Sequence, residues 1–418
     1  MSNPLQRWKD EWHQQHGQER FLRVRWLLNP NETPLENVEL VEYQGLVAEI
    51  RASPTSGADV LPAILIPALV NAHTHLEFSM LTEAICPALP FQDWITSLIQ
   101  WRRARDPEAE SSIRKGLAES RRYGVTSLGE ITTTHAVSPL EVPEGSTVVS
   151  FREILGLQQE QISELLQKAS DHLNHTTPTG PRGSVETGLS PHAPYSVHPN
   201  LYEALIELAV SRNAPVAMHL AETTDEIELL QDGKGAFVEF LQGRGLWNAD
   251  VFPGGRLIRD FLEPLAQVPR ALAIHGNYFS SRDIQFLARH TNIATVYCPR
   301  THAFFRHTPH PLPQLLEVGA SVVLGTDSRA SNPDLSVWKE LQLVAAQFPD
   351  LSIPQLLALV TTNAADAMGL PVKRHQILAE LPCHAVILNA DSEAGDLRSL
   401  VCHSSTQPVF TILGDVAE

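Results

Sequence analysis

Two histidines one residue apart, His73 and His75 in the run PALVNAHTHLE, close an apolar segment. On an extended strand, residues two apart project to the same side, so both imidazoles can reach one point. His219 closes a second apolar run in AMHLAET, and Asp327 closes a third in VVLGTDS. Three imidazoles and one carboxylate form a donor set for one divalent ion of borderline hardness, zinc first, with iron and manganese as alternatives. Taken singly, the paired histidines could be accidental, His219 a satisfied core histidine, and Asp327 a helix N-cap after a strand. Their recurrence at strand ends favours one shared site. A cation held there lowers the pKa of its water from about 15.7 to about 7, which makes hydroxide available at neutral pH.

Positioning such a set requires strands that end at a common face. Eight apolar, β-branched runs have strand length: 64–77, 125–131, 147–157, 185–194, 215–223, 271–279, 292–300 and 321–328. Amphipathic stretches such as SSIRKGLAESRRYG and LYEALIELAVSRN separate many of them. Near-continuous apolar strands alternating with helices are the pattern of a parallel sheet, and eight units predict an α/β fold with a closed (β/α)8 TIM-type barrel. In such a barrel the ligand-type residues at strand ends lie on the active-site face. Short β-like runs at 22–52 and again after PQLLALVTTNAADAMGL predict a small β-sandwich domain built from both chain termini. The expected division is 1–62 and 372–418 for that domain and 63–371 for the barrel. Residues 223–270 form a long excursion between the fifth and sixth strands, of the size of a lid or a subunit contact.

Composition narrows the partners. The formal charge is −17, from 48 acidic against 31 basic residues, with no dense Lys/Arg stripe; nucleic acid and anionic membrane both need clustered positive charge. A small-molecule substrate is expected, with no nucleic acid and no membrane, and a homodimer is the further expectation. The four cysteines lie far apart and form no CxxC pair, which indicates neither a zinc–thiolate site nor a disulfide framework. The opening stretch is polar and no run of about 18 apolar residues occurs, so the cytoplasm is the expected location.

The strings PALVNAHTHLE, GVTSLGEI, SPHAPYS, HLAET, AIHGNY and LGTDS, in this order, resemble the amidohydrolase superfamily in its cytosine-deaminase-like and purine-deaminase-like branch. CPRTHAFFRH and GTDSRASNPDLSVWKE resemble the subgroup of aminofutalosine deaminases and deaminases of adenosine thioethers. The resemblance implies hydrolysis of a carbon–nitrogen bond other than a peptide bond, as deamination of an aminated heterocycle such as a purine nucleoside derivative. It implies that Asp327 both ligates the metal and takes the proton of its water, while His275 orients the nucleophile and stabilises the oxyanion. Glu222, three residues after His219, would protonate the ring nitrogen beside the attacked carbon. His192, Glu77 and Arg152 match family positions near the substrate. For Arg152 with Glu153 a buried ion pair is the alternative reading. Trp94 and Trp101 lie on a segment resembling the family's mobile element and could stack on the heterocycle or simply pack. Arg300, with His302, His307, Phe304 and Phe305, could line the pocket or serve structure. Cys298 reads as a buried bystander.

Binuclear members bridge their metals with a carboxylated lysine from the third or fourth strand, and TVVSFREILGL and VETGLSPHAPYSV contain none. One metal is therefore expected. LPCHAVIL replaces the family's usual glycine-rich turn, and GNY follows His275 where many deaminases carry cysteine and histidine. The alternative enzyme readings are a cyclic amidase or a ring dechlorinase using the same hydroxide. A non-catalytic barrel is a third reading.

Overall fold

Fourteen strands divide between two sheets in the computed structural model, which describes residues 4–14, 18–52, 60–105, 109–133, 137–139, 141–174, 183–390 and 396–414. The first four are β1 (Arg20–Leu27), β2 (Leu35–Tyr43), β3 (Leu46–Ala52) and β4 (Leu61–Pro67). The barrel follows as β5 (Leu69–Thr74), β6 (Val125–Thr132), β7 (Thr147–Ile154), β8 (Ser184–Pro191), β9 (Val216–Leu220), β10 (Ala271–His275), β11 (Ile293–Tyr297) and β12 (Ser321–Leu324). β13 (Ala385–Asn389) and β14 (Pro408–Ile412) complete the chain.

β5 to β12 form one eight-stranded sheet in sequence order, every neighbouring pair parallel. All eight expected strands are present. The sheet curls until its edges meet, and the seam is made by a few specific bonds: the Thr326 and Asp327 amides both donate to the His73 carbonyl, at 3.1 and 3.0 Å. Asn71 and Thr326 exchange two more, with Asn71 Nδ2 donating to Thr326 Oγ1 and the Thr326 amide donating to Asn71 Oδ1. Strand alternation sorts the core. Val149, Phe151, Ala217, Leu272, Ile274 and Val323 pack inside the barrel, while Val148, Ile154, Val216, Ala271, Ala273 and Val322 pack outward against helices. The helix Pro199–Ser211 shows how the outer layer is specified: His198 caps its first turn, Pro199 opens it, and Leu201, Leu205, Ile206 and Ala209 form its buried stripe.

The terminal unit is built from both chain ends, as expected. It is a single mixed sheet in the order β14-β13-β4-β1-β2-β3. Leu61, Ala63 and Leu65 face a small core with Leu5 and Trp12 of the helix Pro4–Gln14, whereas Ile64, Ile66, Val386 and Leu388 join the barrel's outer core. The barrel itself covers the second face, so no second sheet is needed. The expected boundary at residue 62 falls inside β4, which belongs to the terminal sheet, and the chain enters the barrel after Ala68. Among the described residues, no helix is long and apolar enough to cross a membrane.

Candidate active site

At the C-terminal ends of the barrel strands opens a cavity of about 360 Å³. His75, His192, His219, Glu222, His275 and Asp327 all reach it, and these come from five strand ends. His73 lies fully buried immediately below, its ring 4.9 Å from His75 and 5.0 Å from His219. Ligand atoms of His73, His75 and Asp327 lie within 4.8 Å of one another, and so do those of His73, His219 and His275. His73 belongs to both groups. Its Nε2 is 3.6 Å from Asp327 Oδ1, and that of His75 is 3.7 Å away.

The protonation of this cluster is what a cation requires. His219 Nδ1 meets the His192 carbonyl at 3.1 Å, a contact in which the ring can only donate. That fixes the tautomer and leaves Nε2 bare towards the cavity, the arrangement typical of metal-binding imidazoles. Burial, together with neighbouring imidazoles, holds His75 well below the usual histidine range and lowers His219 to about 3. Burial by itself would raise the Asp327 carboxyl, but the His73, His75 and His275 imidazoles around it hold it well below its ordinary value. Both His73 ring nitrogens and His75 Nδ1 are buried without hydrogen-bond partners. Neutral nitrogen donors and one ionised carboxylate converging at such distances fit a single divalent ion.

Three non-glycine residues at the strand ends take left-handed backbone conformations: Ala221 at φ +53°, His275 at +72° and Asp327 at +57°. Each such residue costs on the order of 1–3 kcal/mol and persists only where its surroundings enforce it. At Ala221 the enforcement is the buried Glu226 carboxylate, which accepts from the Ala221 and Glu222 amides at 2.9 Å each. At Asp327 it is the seam, with Thr74 Oγ1 donating to the Asp327 carbonyl at 3.2 Å. The bend at Ala221 carries Glu222 inward, where its Oε1 stands 3.5 Å from His275 Nε2. Burial, then the Asp327 and Glu226 charges, push the Glu222 carboxyl well above the usual range. Asn277 Nδ2 donates to the Glu222 carbonyl at 3.0 Å and pins that turn.

Three sequence-predicted contacts do not reach the cavity. Arg300 is spent on structure: its guanidinium pairs with Glu340 at 2.6 Å and Asp334 at 2.9 Å, tying the helix Pro299–Phe304 to the helix Val337–Gln347 and the turn before it. Arg152 shares a strand face with Val148 and Ile154, so alternation sends it outward and its neighbour Glu153 inward. Glu77 turns away to Arg102 and Thr133, at 2.6 and 2.8 Å, and connects to the cavity through Arg102 and, by way of Thr133, Glu153. His302 and His307 are likewise occupied elsewhere, by the Thr308 carbonyl and the Tyr278 hydroxyl. Phe305 lies behind Trp94, edge-on at 5.0 Å. Trp94 itself lines the cavity, with its indole nitrogen on the Ala330 carbonyl; Trp101 packs on Phe78.

Sequence reasoning missed Arg102, although Phe91, Ile95, Leu98 and Arg102 share one helical face of Phe91–Arg105 and the spacing was readable. The excursion at 223–270 roofs the cavity with Phe240, Leu241, Arg244 and Leu246. Arg244 bridges back to Thr96 at 2.8 Å, joining the two covering elements.

The amidohydrolase family model matches residues 64–374, which is more than half of the chain. The chain belongs to the amidohydrolase family. As an amidohydrolase it is a hydrolytic enzyme, and its histidine-rich cluster occupies the face where a barrel enzyme does its chemistry. It is 28% identical over 338 residues to a 5-methylthioadenosine/S-adenosylhomocysteine deaminase of Pyrococcus furiosus, covering 77% of this chain and 74% of that one. It is 27% identical over 337 residues to an aminodeoxyfutalosine deaminase of Deinococcus radiodurans, covering 76% and 77%. An adenosine deaminase of Xanthomonas campestris, solved with bound zinc, shares the fold at a TM-score of 0.72 and 19% identity, over 94% of this chain and 91% of that one.

Proposed function

We propose that this amidohydrolase hydrolytically deaminates a 6-aminopurine nucleoside whose 5′ carbon bears an apolar substituent, using one divalent ion, zinc first. The observation that carries the reading is the Glu222 carboxyl: buried, kept protonated by its surroundings, and aimed into the cavity 3.5 Å from His275 beside the His73, His75, His219 and Asp327 cluster. When bound by those four side chains, the ion would supply Lewis acidity and make a water acidic enough to attack at neutral pH. Asp327, held ionised, accepts a proton of the attacking water. His275 stands where it can orient that water and stabilise charge on the attacked centre. Glu222 delivers its proton to the ring nitrogen next to the amine-bearing carbon, which makes that carbon more electrophilic. Collapse expels the amino group as ammonia with the proton from Asp327; the hydroxyl proton left on the attacked carbon passes to Glu222, which restores its carboxyl, and the ring keeps the water oxygen as a carbonyl.

Two sets of cavity residues support the substrate class. Glu153, Arg102 and His192 present polar atoms suited to ribose hydroxyls, with His192 Nε2 3.8 Å from Glu153 Oε1 and its Nδ1 on Ser196 Oγ at 2.6 Å. Ile95, Leu98, Leu155 and Phe240 line the same cavity with apolar surface, which an apolar 5′ substituent would cover favourably. The name of the Pyrococcus furiosus relative includes 5-methylthioadenosine, a 6-aminopurine nucleoside of this kind.

The test is to incubate metal-loaded protein with adenosine, 5′-deoxyadenosine, 5′-methylthioadenosine and adenosine 5′-phosphate, following ammonia and product mass. One ammonia per nucleoside consumed is expected, with 5′-methylthioadenosine faster than the phosphate. No ammonia from any of them, or release of a different leaving group from another heterocycle, would exclude deamination and leave a cyclic amidase or dechlorinase.

A further inference from the structure

The alternation of β10 would send His275 away from the site. Leu272 and Ile274 face the barrel interior, and Ala271 and Ala273 face the outer helices; in regular strand geometry His275 would follow the alanines. It is instead turned inward by its φ of +72°, which brings Nε2 to Glu222. Something must hold that backbone, because a residue with a Cβ does not stay in the left-handed region unaided.

The ladder to the next strand ends one residue earlier, at Ile274 opposite Val296, and the His275 carbonyl lies past it. That carbonyl accepts a hydrogen bond from His310 Nε2 at 2.9 Å. His310 is buried, and its ring stacks on Tyr297 of β11 with centroids 3.9 Å apart and planes 20° from parallel. The donation requires the Nε2–H tautomer, and the other ring nitrogen, Nδ1, is left buried without a partner. An imidazole stacked in place, with one nitrogen left unpaired and the other committed to a strained carbonyl, is arranged around that single bond. It lies just beyond CPRTHAFFRH, a segment the cavity itself does not use.

We propose that His310 is a positioning residue: by holding the His275 carbonyl it keeps the backbone left-handed and the His275 imidazole in the active site. The catalytic part of this inference rests on the deaminase reading above, whereas the structural part stands without it. His310→Phe keeps a ring on Tyr297 and removes the donor; His310→Gln keeps a side-chain N–H donor. With the substrate found most active, His310→Phe should lower kcat by about 100-fold through misplacement of His275. KM should stay near the wild-type value and the metal content should not change, and His310→Gln should recover most of the lost rate. A crystal structure of His310→Phe should show His275 with negative φ and its imidazole withdrawn from Glu222. A wild-type kcat in His310→Phe, equal losses in the two variants, or an unmoved His275 in the crystal would overturn the proposal. Should the wild-type protein release no ammonia, the deaminase reading falls, and the position of His275 in the variant still decides this one.

Discussion

Glu222→Gln should abolish turnover, by about 10³-fold or more, while the protein still folds and binds its full complement of metal. The amide is nearly isosteric, so the loss isolates the proton that a carboxyl can give and an amide cannot, a contribution of about 10²–10⁴ for a positioned acid. Stability should move in the opposite direction. Burial and the Asp327 charge raise the folded-state pKa of Glu222. A carboxyl raised in this way contributes its full stability below the unfolded-state pKa, and the contribution is lost as pH rises through the folded-state value. In metal-free protein at pH 7, Glu222→Gln escapes that loss and should melt above wild type, whereas at about pH 4, near the ordinary pKa of a free glutamate, the two should converge. Thermal melts at both pH values, with metal analysis and steady-state rates, check the account. A variant with normal kcat would mean that Glu222 is not the acid.

Removing the metal should have an effect of the same order. The cluster brings bare imidazole nitrogens and an ionised Asp327 carboxylate together in a buried space, an arrangement that is poor without a cation and good with one. A strong chelator should therefore take activity to background, and stoichiometric zinc should restore it. Binding only to the folded state adds about 2.7 kcal/mol when free metal is 100-fold above Kd, so the melting temperature should rise on adding the ion. Asp327→Asn keeps the shape and removes the charge; it should lose both the thermal response and the activity. Undiminished turnover after exhaustive chelation, with metal content confirmed near zero, would contradict the proposed chemistry.

Much of this was legible in the residues, for reasons that can be stated. The barrel strands are short, mostly buried apolar runs, and most lead into a polar, ligand-type residue at or just past their ends, so the pattern marks both the fold and the rim. His73, His75, His219 and Asp327 were singled out because strand ends are where such a fold exposes ligand-type side chains, and the structure brings them close together there. What failed is instructive. Arg152 and Glu153 are adjacent, and only the alternation through Val149 and Phe151 tells which one faces inward. Arg300 looked like a pocket residue until Asp334 and Glu340, more than thirty positions on, engaged its guanidinium. Glu226 and His310 act through backbone atoms of Ala221, Glu222 and His275. No local motif advertises a side chain whose partner is a distant amide or carbonyl.

The central claim is that His73, His75, His219 and Asp327 hold one divalent ion between them. Anomalous diffraction from crystals of the metal-loaded protein, collected on both sides of the zinc edge, tests it directly. The account predicts one strong peak enclosed by those four side chains, with Glu222 nearby but not ligating. No peak there, a second peak beside it, or density held by a different set of residues would contradict it.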